Sequence, residues 1–485
     1  MKTFARVVRR SVEWLAIILV TVALVRAFDA RRLPDLKPWH RIVPQRELTA
    51  VELTERFTLA DYLAREAEVF DEVKRRIDPQ VPPEDRTAGN RYFTDSPIHP
   101  GHFQTNWNRT YELLPDVTKG GALLVHGLTD APYSMRRVAE LLRDRGIYAL
   151  CLRMPGHGTV PAALTKARWE DWLAAVKVGA RHVRGKIGEG KPLYLVGYSS
   201  GGALVVQYSL EALAGMSLPV PDKLVLLSPM VGVLPFAGFA RTVSALAFVP
   251  AFEKSRWLEV LPEYNPFKYN SFPVHAARQT LGLTSLLQTE LRKAADAGRI
   301  GRLPPILSFQ SLADATVLPG AVAEKLFDRL ADNGSELVLF DINRVNYLKP
   351  FWKSTQEDLI LREAAVRGRR YRFTLVTNAR PETLEVVERS FEKGGGPPSE
   401  RPLGLSWPSQ VFSLSHVALP FAPDDPLFGL APDLREDYGI RIGLIAPRGE
   451  RSVLSAPMET FTRLTSNPFF PYVERRIAVW IGGGK

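Results

Sequence analysis

From Tyr111 onward, short apolar runs alternate with longer segments of helical periodicity. The runs are Gly121–Val125, Ile147–Leu152, Leu193–Val196, Lys223–Leu227, Pro305–Phe309 and Glu336–Phe340. Runs this short, bounded by glycine and proline, predict buried strands, and the intervening segments predict helices. A chain built this way folds as an α/β protein: a mostly parallel central sheet with helices on both faces. Two further runs, Tyr371–Val376 and Gln410–Leu414, also read as strands. Upstream, Thr58-Leu59-Ala60-Asp61 has the form of a capping box and opens an amphipathic helix to about Ile77. The Pro-, Asp- and Gly-rich segment from Asp78 to Gly101 reads as loop.

Breaks in this rhythm divide the chain into 1–32, 33–110, 111–230, 231–303 and 304–485. Residues 231–303 carry helical patterns with Phe236, Phe239, Phe248, Phe252, Trp257 and Phe267, and show no strand before Pro304. They are expected to form a helical cap over the site; the alternative is that these rings only fill the core. An insertion at about 343–408 holds the flexible Gly394-Gly395-Gly396-Pro397-Pro398 loop.

The N-terminus places Lys2, Arg6, Arg9 and Arg10 before an apolar stretch, Trp14–Val25, and Arg26, Arg31 and Arg32 after it. As a helix, Ser11 to Phe28 would reach about 27 Å. A single membrane span is the expectation, with the catalytic domain on the non-cytoplasmic side and Pro34–Pro44 as a linker lifting it off the bilayer. A cleaved signal and an ordinary buried helix are the alternatives.

The net charge of +11 favours anionic surfaces. No basic block with interleaved aromatics accompanies it, so a nucleic-acid partner is not expected. Cys151 is the one cysteine, which rules out an internal disulfide and a thiolate zinc site; it reads as a small buried hydrophobe.

The segment Gly197-Tyr198-Ser199-Ser200-Gly201 stands between an apolar strand and a helix-compatible run. A Gly-x-Ser-x-Gly turn there is a nucleophile elbow: the serine is held on a sharp turn with small neighbours on either side. The N–H of Ser200, at the helix start, is then available to an oxyanion. A second donor is expected from Leu128, which follows His126-Gly127 at the end of the first central strand. Here His126 reads as a brace, and His157, in the glycine-rich turn after the next strand, as a loop organiser. For a base, the order Ser, acid, His selects His416, just after Gln410–Leu414. The acid is Asp314, with Asp341 at the end of the following strand as competitor. His40, His99, His102, His182 and His275 read as structural or solvated.

With His126-Gly127-Leu128, Pro155-Gly156-His157-Gly158, Gly197-Tyr198-Ser199-Ser200-Gly201, Asp314 and His416 in this order, the chain resembles the α/β-hydrolase superfamily. The likeness is to the branch of monoacylglycerol lipases, lysophospholipases, bacterial carboxylesterases and serine aminopeptidases. It covers roughly 120–475. The resemblance implies a cap between elbow and acid, a Ser199–Asp314–His416 triad, oxyanion donors at Leu128 and Ser200, and no metal or organic cofactor. One departure stands out: a long insertion separates Phe340 from His416, where the family has a short connection.

The expected function is a membrane-tethered serine hydrolase acting on acyl esters or lipids. A peptide or amide hydrolase with an acidic amine pocket, drawing on Asp130, Asp424 or Asp425, is the second reading. A non-catalytic scaffold is the third.

Overall fold

The computed structural model describes residues 32–232, 250–314, 316–346, 354–366, 368–393, 397–409, 411–444 and 462–482, with isolated positions between 10 and 28. In chain order the first strands are β1 (Tyr111–Leu113), β2 (Gly120–Val125), β3 (Ile147–Leu152), β4 (Leu193–Tyr198) and β5 (Lys223–Leu227). A small antiparallel pair follows, β6 (Trp257–Glu259) and β7 (Phe272–Pro273). After it come β8 (Ile306–Ser311), β9 (Glu336–Phe340), β10 (Arg372–Asn378), β11 (Glu385–Phe391), β12 (Ser399–Ser406), β13 (Val411–Leu414) and β14 (Thr462–Leu464). Among the described residues the main sheet runs β1-β3-β2-β4-β5-β8-β9-β10-β11-β12. It is parallel from β3 to β10, and β1, β11 and β12 run antiparallel to their neighbours.

Each central strand is apolar at nearly every position because both faces are covered. Leu123 and Val125 of β2 point into one apolar layer, Ala122 and Leu124 into the other. The same alternation sends Leu195 and Val196 of β4 to opposite sides. Among the described residues the α-helices longer than a single turn are α1 (Leu59–Ile77), α2 (Arg136–Arg143), α3 (Trp169–Ile187), α4 (Ser200–Leu213), α5 (Val274–Asp296), α6 (Pro319–Lys325), α7 (Ser354–Ala365) and α8 (Phe470–Gly482). The first layer takes α3, α4 and α5; the second takes α2 and α8.

Thr58 caps α1 as expected: its hydroxyl accepts the Asp61 N–H, and the Asp61 carboxylate accepts the Thr58 N–H. Cys151 is buried in β3. Pro34–Pro44 is not a free linker. Leu36 packs with Trp257 and Val260, and Trp39 stacks on Tyr92 at 5.0 Å. The extension is bolted to the core by the buried Arg153, which pairs with Glu47 at 2.9 Å and Glu66 at 3.2 Å.

Most of residues 1–31 lie outside the described residues. Among the described residues no helix is long and apolar enough to cross a membrane. The expected single N-terminal span is therefore not supported, and neither are the membrane tether and the placement of the catalytic domain beyond a bilayer.

Between β5 and β8 the described residues differ from an all-helical cap. The β6–β7 pair is present, and α5 sends Leu283, Leu287 and Leu291 into the same apolar layer as α4, so it covers the sheet. Trp257 and Phe267 are buried core rings, with Phe267 stacked on Tyr133 at 4.3 Å. Phe236, Phe239 and Phe248, and the side chain of Phe252, lie outside the described residues. The 343–408 insertion adds β10–β12 to the sheet edge, and Gly394–Gly396 lie outside the described residues.

Candidate active site

In parallel register, Val125 of β2 faces Gly197 of β4, Tyr198 faces Leu227 of β5, and Leu227 faces Phe309 of β8. The carboxyl ends of these four strands therefore share one edge, and the loops leaving them meet there.

Ser199 has φ 54° and ψ −117°. A non-glycine residue in that region carries about 1–3 kcal/mol of strain, so its surroundings must hold it. They do: Ser199 donates its N–H to Leu227 O at 2.9 Å and accepts the Met230 N–H on its carbonyl at 2.9 Å. The two flanking glycines are required by space. A Cβ on Gly197 would sit 2.5 Å from Gly201 O, and one on Gly201 would sit 2.2 Å from Val125 O. The second contact presses the start of α4 against the end of β2. It brings the Ser200 N–H, which has no partner inside the helix, beside the loop carrying Leu128.

That loop is held by hydrogen bonds through His126. His126 Nε2 accepts the Met154 N–H at 3.0 Å, so its proton is on Nδ1, which donates to Gly127 O at 2.8 Å. Burial pushes the His126 pKa down to about 3, so the ring stays neutral. His157 meets it edge-on at 5.0 Å and is also held neutral by burial. Thr129 adopts φ 64°, and its carbonyl accepts the Tyr269 N–H.

His416 reaches the serine from a distant part of the chain. Its Nε2 lies 3.0 Å from Ser199 Oγ and its Nδ1 lies 2.7 Å from Asp314 Oδ2. An ionised carboxylate only accepts, so Nδ1 carries the proton and Nε2 is left to accept the serine hydroxyl. The ring stacks on Tyr198 at 5.3 Å, and the Tyr198 hydroxyl donates to His416 O. The long insertion does not displace His416, because β13 is tied back to the strand ends. Asn343 donates its N–H to Phe412 O at 2.8 Å, and Ser311 donates its hydroxyl to Leu414 O at 2.9 Å.

Asp314 is buried and accepts from five donors. Oδ2 takes the His416 ring, the Ser228 hydroxyl at 2.5 Å and the Gln310 amide at 3.0 Å; Oδ1 takes the N–H groups of Thr316 and Val317. Burial alone would raise its pKa. The charge and hydrogen bond of His416, with the Ser228 and Val317 donors, outweigh burial and hold it below the usual carboxylate value. Asp341, the competitor, is committed elsewhere. It pairs with Arg344 at 2.6 Å and accepts the Thr377 hydroxyl at 2.6 Å.

Three participants went unnoticed in the sequence: Ser228, Gln310 and the Tyr198 ring. Ser228 had a signal, a hydroxyl at the end of the strand between elbow and acid. The five remaining histidines are peripheral; His40, for example, bonds Ser271 and His182 bonds Glu112.

The alpha/beta hydrolase family matches residues 122–380. The chain belongs to that family. The match takes in the elbow and Asp314 and stops short of His416, whose connection is lengthened by β10–β12. The chain is similar to a thermostable monoacylglycerol lipase of Bacillus sp. (strain H-257), 27% identical over 234 residues, covering 45% of this chain and 79% of the relative. Among solved structures it is similar to the Paleococcus ferrophilus monoacylglycerol lipase, at 18% identity and a TM-score of 0.36, covering 48% of this chain and 88% of that one. It is also similar to a soluble variant of the Saccharomyces cerevisiae monoglyceride lipase, at 14% identity and a TM-score of 0.38, covering 48% and 82%.

Proposed function

We propose that this chain is a lipase- or esterase-type serine hydrolase that cleaves carboxylic esters through an acyl-enzyme. Ser199 Oγ attacks the ester carbonyl carbon while His416 Nε2 takes its proton. The Leu128 and Ser200 N–H groups receive the oxyanion. The tetrahedral intermediate collapses, the C–O bond to the alcohol breaks, and His416 returns the proton to the leaving oxygen. Water, deprotonated by the same ring, then releases the acid and restores Ser199. Asp314 stays ionised throughout, fixing the ring's tautomer and stabilising the imidazolium.

The observation that carries this reading is the unbroken relay Ser199–His416–Asp314, at 3.0 and 2.7 Å, on a strained serine. The competing amide reading needs a free carboxylate for a substrate amine. Asp130 pairs with Lys268 at 3.2 Å; Asp425 accepts Tyr133 and two backbone N–H groups; Asp424 lies 3.9 Å from Arg137. Their engagement favours the ester. A panel of p-nitrophenyl esters beside amino-acyl naphthylamides tests both. Ester turnover that persists to octanoate, with no amide turnover, supports an acyl-lipid substrate. Activity peaking at acetate and vanishing by octanoate removes the lipid preference.

A further inference from the structure

A cavity lies apart from the triad. The helix α1, the Arg91–Arg109 loop and the Gly158-Thr159 turn enclose about 290 Å³, and neither Ser199, Asp314, His416 nor Leu128 lines it. Part of its wall is apolar, from Phe70, Val73, Ile77 and Tyr92. The rest carries three cations, Lys74, Arg91 and Arg109, against two carboxylates, Asp71 and Asp78. His99, also on the wall, is held neutral, its pKa pushed down to about 4 by burial.

The cations are not spent on ion pairs. Arg91 is 2% exposed; its terminal nitrogens donate to the carbonyls of Asn265 and Lys268 and to Asn108 Oδ1, and its Nε has no partner. The Arg109 guanidinium lies over the Phe70 ring at 4.1 Å. Among the described residues no carboxylate approaches Lys74, Arg91 or Arg109 within ion-pair distance. Fold stability alone would favour pairing or solvating a buried guanidinium. Glu66 and Asp71 act on Arg109, and Asp78 on Lys74, only through space, and the three cations outnumber the two carboxylates of the wall. Cations in excess and free of direct ion pairs, beside an apolar wall, are complementary to a molecule with both an anionic and an apolar part.

We propose that this cavity binds a small anionic amphiphile, a single carboxylate or phosphate head on a short apolar tail. The head pairs with Arg109 and Lys74 in the field of Arg91, and the tail lies along Phe70, Val73 and Tyr92. Apart from Gly158 and Thr159, the cavity is lined by the N-terminal extension, which precedes the family match at 122–380, and the inference does not depend on the ester-hydrolase reading.

Calorimetric titration of the full chain with octanoate, octyl phosphate, inorganic phosphate and octan-1-ol tests it. One or both amphiphiles should bind at a single site sensitive to Lys74 and Arg109, and the tighter of the two identifies the head group. Arg109→Gln and Lys74→Gln should each weaken that binding about tenfold, while Arg109→Lys retains most of it. Inorganic phosphate and octan-1-ol should bind far more weakly than the amphiphiles. Lys74 is exposed on α1, so its variant reports even if Arg109→Gln fails to fold. Equal amphiphile affinity in wild type and Lys74→Gln, or no binding at all, overturns the proposal. So does inorganic phosphate binding as tightly as octyl phosphate.

Discussion

Ser228 donates its hydroxyl to Oδ2 of Asp314 at 2.5 Å, the same oxygen that accepts the His416 ring. Ser228 itself sits at φ 45°, so another non-glycine residue in the left-handed region, one strand from the elbow, serves the acid rather than the nucleophile. It acts through Asp314 and is a positioning residue. Ser228→Ala should lower kcat for an acyl ester about tenfold and leave KM nearly unchanged, the loss of one charge-assisted hydrogen bond. Steady-state kinetics with the thermal midpoint measured alongside checks this. A rise in KM at constant kcat would place Ser228 in substrate binding instead.

Asp314 and Asp341 should separate cleanly. Asp314→Asn removes the acceptor that fixes the His416 tautomer and should cost about 10⁴ in kcat, as expected for a triad acid. Asp341→Asn breaks the pair with Arg344 and should cost about 1–3 kcal/mol of stability while the folded fraction stays active. Turnover and urea denaturation of the two variants decide between them; the reverse pattern would make Asp341 the acid.

How much of this was legible in the chain depends on how local each signal is. The elbow was, because the glycines at 197 and 201 are demanded by contacts within a few residues and with the neighbouring strand. The cap on α1 was too, since Thr58 and Asp61 complete each other across one turn. Asp314 and Asp341 follow the ends of adjacent strands, Ser311 beside Phe340, so both stand where a strand end delivers an acid. Only the tertiary partners Ser228, Gln310 and His416 tell them apart. Pro34–Pro44 misled because prolines mark a free linker and a docked segment equally well; the burial of Leu36 and Trp39 is a long-range fact. The expected span rested on Trp14–Val25, shorter than a bilayer crossing needs.

Gly201→Ala tests the elbow's steric argument. Its new methyl would meet Val125 O, a backbone atom held in β2, so relief requires moving a strand or the start of α4. Overpacking of this kind should cost about 2 kcal/mol or more and abolish activity in whatever remains folded. Thermal melting and residual turnover measure it; an active, wild-type-like variant would contradict the packing described.

Asp425 should give the protein a distinctive pH dependence. Burial raises its pKa to about 6, against the Tyr133 and backbone hydrogen bonds that lower it. A carboxyl raised in the folded state holds its proton longer there than in the unfolded chain. Its contribution to stability is therefore fully present below about pH 4 and is lost as pH climbs through about 6, on the order of 3 kcal/mol in all. Tyr133, Leu427 and Phe428 all donate to Oδ1, so Asp425→Asn keeps an acceptor for each. Urea denaturation from pH 4 to 7.5 should show the stability difference, variant minus wild type, growing with pH and levelling above 6. A constant difference would remove Asp425 as the titrating group.

The relay itself is tested most directly by a fluorophosphonate probe followed by peptide mapping. Wild type should carry the adduct on Ser199 alone, Ser199→Ala should carry none, and His416→Ala should label at least about a thousandfold more slowly. Labelling of a different residue, or an unchanged rate without the imidazole at 416, would contradict the account.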